Sequence, residues 1–189
     1  MINRLIVFDF DSTLMDSPEP EQGKQLWLQK KGIPYQHLGW WGRPESLDLN
    51  VFDIKPFPSV LNQLKKEIVT PNTYVIILTS RMEKLRPYVQ AVLDKNSIVV
   101  DKLDMKRAEG DKGVKILRYV QQFPELRTIS VYDDRESDII AYENIRNQIP
   151  DGIEFNIYRV NEGNFALTES SRKQNVLEII LDEIKKINL

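Results

Sequence analysis

The sequence predicts an α/β fold: a mostly parallel sheet with helices on both faces and a small irregular insertion after the first strand. Three observations predict it. Short apolar runs alternate with amphipathic segments, the pattern of strands covered by helices. The first run, Leu-Ile-Val-Phe at residues 5–8, is continuously apolar, as in a strand buried on both faces. It ends on Asp9 and Asp11, and ligands of α/β sheets collect at the carboxyl ends of parallel strands.

Strands are expected over residues 5–9, 74–79, 98–100, 128–132 and 153–160. Ser59, after Pro58, is expected to cap a helix carrying Val60, Leu61, Leu64 and Ile68 on one face. A second helix carries Leu85, Tyr88, Val89 and Val92. A third starts near Asp111 and buries Gly113, Ile116, Leu117 and Val120. A fourth starts near Ser137 and carries Ile140, Tyr142 and Ile145. Residues 14–58 break this rhythm. They hold most of the prolines and all three tryptophans, Trp27, Trp40 and Trp41. One helix over residues 21–31 followed by an irregular stretch is expected there, a small cap over the strand end. From Thr168 to the end, Val176, Leu177, Ile180, Leu181, Ile184 and Ile187 recur at helical spacing. That C-terminal amphipathic helix, residues 168–189, packs on the domain or offers an interface. The whole chain, 1–189, reads as one domain.

Composition excludes several chemistries. The chain has 189 residues and a net charge of −2, so no global basic field draws it onto nucleic acid. With no cysteine, disulfides, thiolate zinc sites and cysteine nucleophiles are excluded. A single histidine, His37, rules out a multi-histidine metal site within one chain, and it reads as a structural or surface residue. Any metal should be a hard, oxygen-liganded one, Mg²⁺ first. No apolar run reaches the length of a membrane span and no signal peptide opens the chain, so a cytoplasmic location is expected.

The candidate site begins with the acidic pair. In an extended segment alternate side chains share a face, so Asp9 and Asp11 can point the same way. Two like charges held close require a cation between them or a shared proton. Three further segments place polar groups at the same kind of position. The run Tyr-Val-Ile-Ile-Leu at 74–78 ends in Thr79-Ser80-Arg81, and the run at 129–132 ends in Asp133-Asp134-Arg135 with Asp138 just beyond. Between them, Asp111-Lys112 opens a helix whose amino end should face the sheet's carboxyl edge. Read singly, Thr79 is also a helix cap, Lys112 a solvated charge and Asp133-Asp134 a turn. Their order after an Asp-x-Asp-x-Thr strand argues for one site.

That series resembles the haloacid-dehalogenase superfamily of phosphohydrolases, over roughly residues 4–145. The resemblance implies a three-layer, Rossmann-like sheet and a Mg²⁺-dependent phosphatase. It implies Asp9 as nucleophile and metal ligand, and Asp11 as general acid–base with its backbone carbonyl on the metal. Thr79 would bind phosphoryl oxygens, and Lys112 would balance charge, with Lys115 as the alternative lysine. Asp134, helped by Asp138 or Asp133, would complete the metal site. The chemistry is coherent. A dianionic monoester admits an anionic nucleophile only beside compensating positive charge, and carboxylate attack splits hydrolysis into two easier steps. Receiver domains also gather Asp, Thr and Lys around Mg²⁺, but their paired acids come in the other order along the chain.

Within the superfamily, Thr79-Ser80-Arg81, Asp133-Asp134-Arg135 and the Gly-Trp-Trp-Gly-Arg-Pro segment at 39–44 resemble the phosphatase module of polynucleotide kinase-phosphatases and multi-enzyme RNA-repair proteins. The implied substrate is a phosphorylated nucleotide or nucleic-acid end. Thr13, Ser80, Arg81, Arg43 and Arg135 are then candidate substrate-binding residues, with Trp40 and Trp41 available to stack a base. Adjacent tryptophans also serve as a small core under the insertion. No kinase P-loop is present. A small-metabolite phosphatase and a non-catalytic partner-binding module are the alternative readings.

Overall fold

Six strands build one sheet in the order β3-β2-β1-β4-β5-β6. The computed structural model describes residues 1–106 and 111–170. The strands are β1 (Arg4–Phe8), β2 (Thr73–Met82), β3 (Lys102–Lys106), β4 (Thr128–Asp133), β5 (Glu154–Asn161) and β6 (Asn164–Ser170). The first five run parallel, and β6 pairs antiparallel with β5. The helices are α1 (Pro20–Lys31), α2 (Pro58–Ile68), α3 (Arg86–Lys95), α4 (Lys112–Gln122) and α5 (Glu136–Ile145).

The pleat of β1 divides the core. Ile6 and Phe8 face one layer with Val60 and Leu64 of α2 and Val89, Val92 and Leu93 of α3. Leu5 and Val7 face the other with Ile116 and Tyr119 of α4 and Ile139, Tyr142 and Ile145 of α5. Both faces are therefore covered, which is why β1 reads as an unbroken apolar run. β1 lies between β2 and β4, where the order of strands reverses. The carboxyl ends of β1 and β4 open at this switch point.

Several expectations need correction, and Ile68 and Tyr88, expected on the buried faces of their helices, are among them, being exposed. The strand expected at 98–100 lies instead at β3. Ile98 is buried in the core while Val99 is exposed. β3 is an edge strand with Leu103 and Met105 inward and charged residues between, so it lacks the apolar run of a central strand. β6 was not expected. It follows a two-residue turn, Glu162-Gly163, in which both residues have positive φ, as a tight hairpin requires. Its course to Ser170 shows that the amphipathic segment cannot begin its helix at Thr168, and the rest of that segment lies outside the described residues. Ser59 is not a cap: Phe57 precedes α2, Pro58 takes the first turn, and the Ser59 hydroxyl donates to the Gly163 carbonyl. On α5 Tyr142 and Ile145 are buried as expected, but Ile139 is buried with them in place of Ile140, which is exposed.

The insertion leaves and rejoins the sheet at one place. Asp16 N–H donates to Lys55 O, and Phe57 N–H to Leu14 O. Between these ends lie α1 and a short 3₁₀ turn, Pro44–Leu47. Trp40 is the keystone, 3% exposed, with its indole N–H donated to Pro18 O at 2.7 Å. It packs edge-on to Tyr35 and Phe52 and lies against Gly23 of α1. Its indole has no face left to stack on a base, so Trp40 is a core residue and not a substrate contact.

Candidate active site

After Phe8 the backbone turns back on itself. Leu14 N–H donates to Asp9 O and Met15 N–H to Phe10 O, with Ser12 in the left-handed region at φ 55°. This turn sets Asp9 over the end of β1, buried, with its own N–H donated to Tyr132 O of β4. Thr13 is fully buried, and its hydroxyl donates to Asp134 Oδ1 at 2.9 Å. Thr13 thus orients an acid and has no surface for substrate, which corrects its place among the substrate-binding candidates.

One oxygen from each of Asp9, Asp133 and Asp134 lies within 4.8 Å of the others. The early and late acids of the sequence therefore converge. Lys112, the first residue of α4, reaches into the group. Its ammonium donates to Asp9 Oδ1 at 2.6 Å and Asp133 Oδ2 at 2.7 Å, and lies 3.0 Å from Asp138 Oδ2. Asp111 caps the helix, accepting from Val114 N–H at 3.0 Å, and so fixes where Lys112 emerges. Lys115, one turn on, goes elsewhere, to Asp104 Oδ1 at 2.5 Å and Met105 O at 2.7 Å. Of the two lysines, Lys112 is the one at the acids.

Charge in this group is out of balance. Burial drives the Asp9 carboxyl well above its ordinary value, Lys112 opposes that, and Asp133 and Asp11 reinforce it. Burial also raises Asp134, against the Thr13 hydrogen bond and with repulsion from Asp133. Burial alone would lower the Lys112 ammonium, but Asp9 and Asp133 hold it well above its ordinary value. Asp9, Asp133 and Asp134, with one ammonium beside the first two, form an all-oxygen donor set with surplus negative charge, which suits a hard divalent cation. Asp133 is already filled: it accepts from Lys112, from the Tyr142 hydroxyl at 3.0 Å and from Arg135 N–H at 3.1 Å. Asp9 and Asp134 keep more free lone pairs. Asp138 faces Lys112 and is not one of the three.

β2 carries the opposite wall. Thr79 pairs with Met105 and Met82 with the next residue, Lys106, so Ser80 and Arg81 form a bulge. Thr79 is buried, and its Oγ1 accepts from Arg81 N–H at 3.1 Å, leaving the hydroxyl hydrogen to donate. Arg81 turns inward, and its guanidinium forks onto both oxygens of Asp11 at 2.7 and 2.8 Å. A cleft of about 660 Å³ opens above, lined by Asp11, Thr79, Ser80, Lys112 and Asp138, with Trp41 and Arg135 at its sides. Arg43 is exposed and outside this lining. Two residues went unread as site residues. Tyr142 lies one helical turn after Asp138 on α5, a spacing that signals a shared face. Ser46, which meets Arg81, has no signal in the sequence.

No family model matches the chain. It is 22% identical over 218 residues to the uncharacterized protein YMR265C of Saccharomyces cerevisiae, covering 99% of this chain and 46% of that protein. Among solved structures, the Legionella pneumophila effector Ceg4 superposes with a TM-score of 0.59 at 14% identity, over 98% of this chain and 95% of that one. A chain of the Pnkp1/Rnl/Hen1 complex gives 0.50 at 16%, over 87% of this chain and 47% of that one. The chain thus spans about half the length of the yeast relative and of the Pnkp1 complex chain. The α/β fold, a mostly parallel sheet covered by helices on both faces, is shared with the effector and with a chain of that complex.

Proposed function

We propose that this chain is a Mg²⁺-dependent phosphatase that hydrolyses phosphate monoesters at nucleotide or polynucleotide ends, with Asp9 as nucleophile. The observation that carries the reading is the meeting of Asp9, Asp133 and Asp134 within 4.8 Å at the sheet's switch point. Asp9 and Asp134, with the Asp11 carbonyl, would hold Mg²⁺, which when bound supplies positive charge beside the phosphoryl oxygens.

A carboxylate oxygen of Asp9 attacks phosphorus, and the bond to the leaving oxygen breaks as Asp11 gives that oxygen a proton. Asp11 then takes a proton from water as the water attacks the aspartyl phosphate, releasing inorganic phosphate and restoring Asp9. Lys112 holds Asp9 in place and offsets its charge, and the free hydrogen of Thr79 binds a phosphoryl oxygen. The open cleft with Trp41 and Arg135 beside it suits a bulky, anionic leaving group. The fold shared with a chain of the Pnkp1/Rnl/Hen1 complex agrees with the resemblance of the strand-end motifs to polynucleotide phosphatase modules, and so with a nucleic-acid end.

With an aryl phosphate and Mg²⁺, Asp9→Asn should lower turnover by roughly 10³-fold or more, and chelation should abolish it. Turnover near wild type would overturn the nucleophile. The substrate is tested by comparing 3′- and 5′-phosphorylated oligonucleotides with mononucleotides and sugar phosphates. Preference for a sugar phosphate would overturn the nucleic-acid end and leave the phosphatase standing.

A further inference from the structure

We propose that Arg81 is a positioning residue for Asp11, and that residues 41–46 of the insertion act on the reaction through it. The inference rests on the reading of Asp11 as the acid–base. Arg81 is 3% exposed, and four of its five N–H groups are spent inside the protein. Nε donates to Asp11 Oδ2 at 2.7 Å and Nη2 to Asp11 Oδ1 at 2.8 Å. Nη1 donates to Trp41 O at 3.1 Å and to Ser46 Oγ at 2.8 Å. Ser46 in turn donates its hydrogen to Arg43 O at 2.8 Å, so its lone pair is committed to Arg81. The guanidinium also lies 5.2 Å from the centre of the Trp41 ring.

No fork is left for a phosphate. A two-point bond fixes the plane of a carboxylate as well as its position. Asp11 lines the cleft, so the lone pairs that Arg81 does not use are aimed at the substrate. The bulge that turns Arg81 inward also brings its N–H onto Thr79 Oγ1, so one backbone kink sets both groups. The insertion reaches the chemistry by the same route, because its Trp41 carbonyl and Ser46 hydroxyl hold the other side of the guanidinium.

The test is a leaving-group series: 2,4-dinitrophenyl phosphate, whose leaving group departs without a proton, then phenyl phosphate and an alkyl phosphate, which need one. Arg81→Lys should lower kcat/KM, which reports the steps up to departure of the leaving group, by about 10- to 100-fold on the alkyl ester, with little loss on the dinitrophenyl ester. Ser46→Ala should shift the same ratio in the same direction by a smaller factor, and it carries the test if thermal melting shows the lysine variant unfolded. Added to Asp11→Asn, Arg81→Lys should cost nothing further. Equal losses of kcat/KM on all three esters, a raised KM at unchanged kcat on the alkyl ester, or losses additive with Asp11→Asn would overturn the inference alone. Wild-type protein inert toward every ester would overturn the phosphatase reading, and the inference with it.

Discussion

Lys112 and Lys115 differ by one helical turn and meet different acids. At the start of α4, Lys112 overhangs the strand ends and finds Asp9 and Asp133, whereas Lys115 sits beside β3 and finds Asp104 and Met105 O. Spacing alone cannot separate them, since both point to the sheet side of the helix. The tryptophan pair divides in the same way. Trp40→Ala should cost about 3–5 kcal/mol of stability, as large-to-small core changes do, read by denaturant unfolding. Trp41→Ala should cost less stability and should weaken turnover of oligonucleotides more than that of an aryl phosphate. Equal stability losses would refute the division. Asp9, Asp11 and the later acids were legible because a carboxylate that closes an apolar run sits at the edge of the core, where its charge needs a cation or a donor. Thr13 and Arg81 were legible as polar groups at strand ends, but their partners, Asp134 and Asp11, depend on backbone turns that no residue pattern encodes.

The elements that could be read were those with one strong period. β1, β2 and β4 are largely apolar runs, β5 alternates apolar and polar residues, and α2 to α5 carry their buried residues at helical spacing. β3 and β6 lie at the sheet's edges, where a strand has a neighbour on one side only, and their mixed sequences show it. Packing between elements was not legible, and α1 is the example. Gly23 is the buried residue of that helix, and a Cβ there would lie 2.1 Å from Trp40 Cζ2. Gly23→Ala should therefore destabilise the protein by about 1–3 kcal/mol, although alanine favours helix. A stabilised variant would mean that Trp40 can move aside. The clash lies within the insertion, so aryl phosphate turnover by the folded variant should fall less than stability does.

At the scale of the molecule, α2 and α3 cover one face, α4 and α5 the other, and the acids meet where strand order reverses. Among the described residues no helix is long and apolar enough to cross a membrane. The charge imbalance has a measurable consequence. Asp9 and Asp134 have values raised above 3.8, so the stability they lend the metal-free chain is fully present below that pH. It is lost as pH rises through their raised values. Mg²⁺ competes with those protons, so the thermal stabilisation it gives should grow from acidic to neutral pH. At a hundredfold excess over the dissociation constant the gain should reach about 2.7 kcal/mol, and Asp134→Asn should remove most of it. A gain independent of pH would show that the cation binds elsewhere. The paired ends of residues 14–58 carry a further consequence. Because the excursion starts and finishes at neighbouring points, its length is not fixed by the sheet, and doubling a flexible loop costs only about 0.6 kcal/mol in closure entropy. Extra residues spliced in at exposed Leu38 would therefore be tolerated, making this stretch a natural place for new recognition surfaces to evolve while the strands beneath stay as they are.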